Sequence, residues 1–84
     1  MNSLDQLLEF LDRLRTSSIS YRLECNRLPP DSAIMVIVAS PSKYWEIEFF
    51  ADGRIEVQTF CPSSDIDAMT LEAVTEAVVR DVNG

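Results

Sequence analysis

The feature that most constrains the fold is an alternation of apolar and acidic residues on either side of a glycine turn. Residues 44–49 read Tyr-Trp-Glu-Ile-Glu-Phe and residues 54–60 read Arg-Ile-Glu-Val-Gln-Thr-Phe. This alternation is typical of two half-buried strands joined in a hairpin. Because a one-residue slip exchanges the two faces of a strand, the length of the turn decides which side chains are buried.

A three-residue turn over residues 51–53 is the one that keeps apolar side chains opposite each other. A two-residue turn would set Phe49 opposite Glu56 and mix core with surface. The three-residue turn, with Gly53 in the left-handed conformation, sets Phe49 opposite Ile55. The same register predicts three pairs on the outward side: Glu48 with Glu56, Glu46 with Gln58, and Tyr44 with Phe60.

The segment before this hairpin is apolar without alternation. Residues 33–39 read Ala-Ile-Met-Val-Ile-Val-Ala, which suits a strand covered on both sides or one with an apolar outer face. A two-residue loop over 41–42 and a four-residue loop over 40–43 both predict the pairing of Val36 with Ile47. Either loop turns Met35 and Ile37 outward, beside Glu48 and Glu46.

An N-terminal helix and a further strand precede these three strands. Ser3 and Gln6 fit a capping box, with Ser3 as the N-cap. The run Thr16-Ser17-Ser18 ends the helix, and residues 19–26 alternate like a half-buried strand in which Arg22 and Glu24 face outward. The helix has a leucine stripe that we expect to be core: Leu4, Leu7, Leu8, Leu11 and Leu14.

A second helix ends the sequence. Its N-cap is Asp65, Asp67 or Thr70, and the pattern leaves the choice open. Five apolar residues share one face of this helix: Leu71, Val74, Ala77, Val78 and Val82.

These elements predict one α+β domain over residues 1–84. The element order is α-β-β-β-β-α, and the short connections favour a four-stranded antiparallel meander. Each helix has a single apolar stripe, so we expect a two-layer sandwich with both helices on one face of the sheet. Trp45 then points into the core, and the opposite sheet face is open to solvent or a partner.

Composition argues against most enzyme classes. The chain has no histidine, the usual general base near neutral pH and the commonest metal ligand. Two glycines leave no glycine-rich phosphate loop, and no serine has a histidine to activate it. We therefore predict no catalytic residues, no metal site and no cofactor. A hard cation held by Glu46, Glu48 and Glu56 is a weaker alternative, because no Asp-rich calcium loop accompanies them.

Charge and hydropathy limit which classes of partner and which cellular compartment are expected. Seven Lys and Arg against 14 Asp and Glu give a net charge of −7, which would repel nucleic acids. The longest apolar run, residues 33–39, is far shorter than the roughly 20 residues that cross a bilayer, so no membrane partner is expected. The N-terminus has no basic segment typical of a secretory signal. We expect a cytoplasmic protein in which Cys25 and Cys61 are reduced.

The outward sheet face is the candidate site. Facing glutamates without partners are destabilising, so folding alone would not select them. Solvated, screened glutamates are one interpretation. The other is a surface that binds a basic partner, with an apolar centre and an acidic rim. Its predicted partner-binding residues are Glu46, Glu48, Glu56, Gln58, Met35, Ile37, Tyr44 and Phe60.

The hairpin also carries a resemblance. Within residues 44–57, residues 45–57 match the pattern W-E-[IV]-E-F-x-x-D-G-x-[IV]-E-V, and they follow an apolar strand and a leucine-rich helix. This arrangement, over residues 4–60, resembles a group of small acidic bacterial proteins, some of which look like immunity proteins of polymorphic toxin systems. The resemblance implies no catalytic residues.

Together these observations predict a non-enzymatic binding protein that neutralises a basic protein, such as a toxin, through the sheet face. The alternative is a structural module that forms a homodimer through the same face or through an edge strand.

Overall fold

The fold is an open antiparallel sheet with two helices. The computed structural model describes residues 2–25, 32–41, 43–60 and 66–84. The predicted α+β class and the antiparallel meander are confirmed, since the strands follow one another across the sheet in chain order. The elements are α1 (Ser3–Thr16), β1 (Arg22–Glu24), β2 (Ala33–Ala39), β3 (Tyr44–Phe50), β4 (Ile55–Phe60), β5 (Asp67–Ala68) and α2 (Leu71–Asn83).

The prediction of four strands is wrong, because the sheet has five. Asp67 and Ala68 form a short strand beside β4, where Ala68 lies opposite Glu56. The Met69 N–H extends this contact by donating to the Ile55 carbonyl (3.0 Å). A strand of two residues has no alternation to detect, and the sequence analysis considers Asp67 only as a candidate N-cap of the following helix.

The predicted registers of β2 with β3 and of β3 with β4 are confirmed. Val36 lies opposite Ile47, and Phe49 lies opposite both Ile34 and Ile55. The Phe50 and Gly53 backbones close the β3–β4 turn, in which the Gly53 N–H donates to the Phe50 carbonyl (3.0 Å). Gly53 has a φ of 95°, as the three-residue turn requires.

Both helices pack on the same side of the sheet and share one core. Phe10 of α1 lies against Phe49 of β3, with ring centroids 5.3 Å apart. The Gln6 side chain also donates to the Gly53 carbonyl (3.2 Å), which ties α1 to the β3–β4 turn. The core comprises Leu7, Phe10, Leu14, Ile19, Val36, Val38, Trp45, Ile47, Phe49, Ile55, Val57, Leu71, Val74 and Val78.

The predicted leucine stripe of α1 is only partly correct. Leu7 and Leu14 are buried, whereas Leu4 is 60% exposed and Leu8 is 55% exposed. The fully buried Phe10 takes the place that the stripe assigned to Leu8. On the helix surface, Phe10 lies beside Leu7 and Leu14 and on the far side from Leu8. Packing of its large ring against the sheet therefore turns Leu7 and Leu14 towards the core and Leu8 towards solvent.

The ends of α1 differ from the sequence prediction. Asn2, not Ser3, is the N-cap, and its side chain accepts from the Asp5 N–H (2.8 Å). At the other end, Ser18 has a φ of 59°, and the Ile19 N–H donates to the Leu14 carbonyl (2.9 Å). This is a Schellman motif, in which an apolar residue after the helix packs against its last turn.

This helix end explains why β1 is shorter than predicted. Ile19 is buried in the core, and regular pairing begins only at Arg22. Residue 26, the expected end of the strand, lies outside the described residues.

Helix α2 is capped by Thr70, which is one of the three predicted caps. The Thr70 side chain accepts from the Ala73 N–H (3.2 Å). Near the C-terminal end of α2, Asp81 accepts from the indole N–H of Trp45 (2.8 Å). Trp45 is 6% exposed, so its predicted place in the core is confirmed.

The different burial of neighbouring leucines on α1 can be measured. We expect Leu7→Ala to lower the free energy of unfolding by roughly 2 to 5 kcal/mol, because it leaves a cavity in the core. Leu8→Ala should change it by no more than about 0.5 kcal/mol, because the side chain is largely in solvent. Urea unfolding followed by circular dichroism measures both values. Equal losses would contradict the orientation of α1.

The turn glycine provides a second test. An added Cβ at Gly53 would meet no atom within 4 Å, so any cost of substitution is conformational. Gly53→Ala should destabilise the protein by about 1 to 2 kcal/mol, because other L-residues disfavour the left-handed region. Gly53→Asn should lose less, since asparagine tolerates this conformation. Identical losses in urea unfolding would argue against a backbone origin.

Candidate interaction surface

The sheet side opposite the helices, here called the outward face, holds all eight residues predicted to bind a partner. β2 contributes Met35 and Ile37. β3 and β4 contribute the three remaining predicted pairs, Tyr44 with Phe60, Glu46 with Gln58, and Glu48 with Glu56. The gathering of the glutamates on one side of the sheet is therefore confirmed, whereas their role in binding remains a prediction.

The centre of the outward face is less open than the sequence predicted. Glu48 is 6% exposed and Ile37 is 5% exposed, although both were expected to contact a partner directly. β3 is the middle strand of five, so side chains from strands on both sides cover its centre. A depression of about 20 Å³ remains there, lined in part by Met35, Glu46 and Ile66.

Arg22 of β1 covers one side of this centre. It lies opposite Ile37, and its guanidinium donates to the Tyr44 hydroxyl (3.0 Å). The same group lies 3.5 Å from a Glu24 carboxylate oxygen. A long side chain that lies along the sheet buries apolar surface with its stem and keeps its charge in water. The predicted apolar strip is thus partly covered by a cation from the neighbouring strand.

Arg54 covers the other end of β3 and changes the interpretation of Glu56. Its guanidinium lies 4.2 Å from the centre of the Phe50 ring and 3.0 Å from a Glu56 carboxylate oxygen. Glu56 is therefore ion-paired, and the expectation of glutamates without partners is wrong for this residue.

Phe50 is 4% exposed on the outward face and was missed because the sequence prediction ended its strand at residue 49. The alternation of Tyr44, Glu46 and Glu48 carries on to this position.

An aromatic pair forms the third side of the face. The Tyr44 and Phe60 rings have centroids 6.3 Å apart and are tilted by 60°. Both residues are half-buried, as are Met35 and Glu46. The accessible outward face therefore combines the exposed Arg22, Arg54 and Ile66 with half-buried aromatic, thioether and carboxylate groups, over a buried Ile37 and Glu48.

The chemistry of this face suits a surface partner better than a small molecule. Small-molecule sites are typically concave cavities of about 300–1,000 Å³, much larger than the depression at Glu48. Within the described ranges, no group of three potential metal-ligating side chains comes together. Nor does any described helix have the length and apolar character needed to cross a membrane.

Comparison with protein-family models, with curated proteins and with solved structures finds no match to this chain. The resemblance to small acidic bacterial proteins therefore stays a prediction, and the geometry of the outward face is the basis for a functional proposal.

Asp52, at the edge of this face, allows a pH test. The Arg54 backbone N–H (3.0 Å) is the largest cause that lowers the pKa of Asp52 below its ordinary value of 3.8, and the Arg54 guanidinium (3.0 Å) adds to it. Because the folded state holds the proton less tightly, the resulting stabilisation is present above pH 3.8 and is lost as pH falls through the lowered pKa.

We expect a carboxyl titration by NMR to give a pKa for Asp52 below 3.8. In Arg54→Gln the value should rise but stay below 3.8, since residue 54 keeps its backbone N–H. A return to 3.8 in that variant would assign the effect to the guanidinium alone.

Proposed function

We propose that this protein is a non-catalytic binding protein that recognises a basic protein surface through its outward face, in the manner of an immunity protein that neutralises a toxin. The observation that carries the proposal is the pairing of Glu48 directly opposite Glu56, with Glu46 on the same face. Arg54 offsets part of the like-charge cost at Glu56, so the proposal rests on the gathering of carboxylates on one face and not on unpaired charge.

The accessible carboxylates would steer the partner. Glu46 is half-buried, and the side chains of Glu56 and Glu24 are 24% and 44% exposed. Carboxylates gathered on one surface raise the rate at which a cationic protein finds it, and salt screens this effect. A net charge of −7 on 84 residues acts in the same direction.

The half-buried groups would supply the contact. Met35, Tyr44 and Phe60 offer thioether and aromatic surface beside Gln58, and aromatic residues and Met are enriched where proteins meet. Ile37 and Glu48 have a supporting role in this proposal, because both lie beneath their neighbours. This differs from the sequence prediction, in which both residues touched the partner.

The arginines of the face have a defined place in the proposal. Arg22 and Arg54 hold Tyr44 and Glu56 in fixed positions through contacts of 3.0 Å. Side chains that are already held in place lose less freedom on binding, which favours affinity. Lys or Arg side chains of a basic partner would compete with these two arginines for the carboxylates that they contact.

The test compares two charge reversals on exposed or half-exposed positions. Glu46→Lys alters the outward face, whereas Glu72→Lys makes the same charge change at an exposed position on α2. Basic proteins captured from a lysate of the source cells by the unaltered chain are identified, and their association rates are measured at low and high salt. We expect Glu46→Lys to slow association about tenfold and Glu72→Lys to leave it nearly unchanged.

Equal effects of the two reversals would contradict the proposal, as would capture of acidic proteins only. The homodimer alternative is tested separately by sedimentation of the unaltered chain at two ionic strengths. A salt-sensitive dimer that Glu46→Lys disrupts would replace the proposed partner with a second copy.

A further inference from the structure

A cleft of about 420 Å³ lies between the start of β3 and the second half of α2. Its volume is within the usual range of small-molecule sites, about 300–1,000 Å³. Both elements contribute to its lining, which comprises Lys43, Trp45, Ala77, Arg80, Asp81 and Gly84. Ala77 has a single methyl group and Gly84 has no side chain, so space remains between the larger side chains. We call this space the β3–α2 cleft.

The β3–α2 cleft is on the helix side of the sheet. Trp45 is part of the core beneath the helices, whereas Tyr44 and Glu46 belong to the outward face. The indole N–H of Trp45 donates to Asp81 of α2 (2.8 Å), and this bond holds the two elements together beside the cleft. The cleft therefore has walls that are fixed relative to each other, and it shares no lining residue with the outward face.

The charge available to a ligand in this cleft is positive, although the whole chain carries a net charge of −7. The Asp81 carboxylate is already engaged by the Trp45 indole. The Lys43 ammonium lies 5.4 Å from the centre of the Trp45 ring and forms no ion pair with another described residue. Arg80 pairs with Glu76 (3.2 Å), but these side chains are 74% and 72% exposed, and pairs in water are weak.

The helix accounts for one of these two cations. A partial negative charge at the C-terminal end of a helix attracts cations, and Arg80 lies in the last turn of α2. Lys43 belongs to a different part of the chain, just before β3, and is half-buried. Partial burial of an ammonium without a carboxylate partner is unfavourable, and the contact with the Trp45 ring offsets part of that cost. A bound anion would supply the missing partner.

We infer that the β3–α2 cleft binds a small organic molecule through an oxyanion group, either a phosphate or a carboxylate, held between Lys43 and Arg80. The guanidinium offers a planar fork of donors and the ammonium a compact charge, and both bind such oxygens. The organic part of the ligand packs against Ala77 and Trp45. The inference does not rest on the proposed function, which concerns a basic protein on the opposite side of the sheet.

The probe is phenyl phosphate, which is titrated into the unaltered protein and followed by calorimetry and by tryptophan emission. Trp45 is the only tryptophan in the sequence. Binding should saturate and should change the emission, because an anion that pairs with Lys43 alters the charge next to the indole ring. Benzoate is titrated in the same way, and tighter binding of one of the two anions identifies the group that the site prefers. Benzyl alcohol, which has the ring without the charge, should bind at least tenfold more weakly.

Three variants test the lining of the cleft. Lys43→Met and Arg80→Gln should each weaken binding of phenyl phosphate about tenfold in calorimetry, because each removes one charged donor. Ala77→Leu should weaken it at least as much, since the larger side chain occupies the cleft without changing the charge. Circular dichroism checks that each variant keeps its fold, and the two charge variants are decisive if Ala77→Leu does not.

The matched control is Arg13→Gln, which removes an exposed cation from the last turn of α1, outside the cleft. It should leave the affinity for phenyl phosphate within about twofold of the unaltered protein, well below one tenfold step. Glu46→Lys on the outward face should also leave this affinity within about twofold. That result separates a failure of this inference from a failure of the proposed function.

Four results would overturn the inference. A signal that rises linearly without saturation would mean that no site exists. Equal weakening by Arg13→Gln would reduce the binding to general charge attraction. Equal affinity for benzyl alcohol would remove the role of the oxyanion, and tighter binding of benzylamine than of either anion would reverse the charge assigned to the cleft.

Discussion

The left-handed backbone of Gly53 is the constraint on which the rest of the sheet depends. It sets a three-residue turn between β3 and β4, and the turn fixes which side of each strand is buried. With this register, Phe49 meets Phe10 in the core, and Gln6 bonds back to the turn itself. One backbone conformation thus aligns the sheet, seats the first helix and determines the chemistry of the outward face.

The outward face shows how a sheet accommodates like charges at its centre. Glu48 and Glu56 lie opposite each other, yet Glu56 also bonds to Arg54, and Arg22 lies along the same side of the sheet. Arginines from outside the paired residues therefore lower the cost of the carboxylate cluster. They also cover apolar surface, which is why Ile37 is buried on a side of the sheet that was expected to be open.

Sequence reasoning could predict features that depend on an alternation of apolar and polar residues repeated along the chain. The β3–β4 register is the clearest case. It could not predict the rotation of α1, because apolar residues cover a wide arc of that helix. The packing of one ring, Phe10, decides that Leu7 is buried and Leu8 is not. It could not predict β5 either, since two residues form no period. The burial of Glu48 depends on where long side chains from neighbouring strands lie, and a pattern of residue types does not specify this.

The contact between Trp45 and Asp81 gives the protein an intrinsic fluorescent probe. This tryptophan is the only one in the sequence; its indole N–H bonds to the far end of α2, and the Lys43 ammonium lies 5.4 Å from the ring centre. Indole emission depends on nearby charge and on water. Intrinsic fluorescence would therefore change when the last turns of α2 detach from β3. This step would be detected separately from unfolding of the sheet.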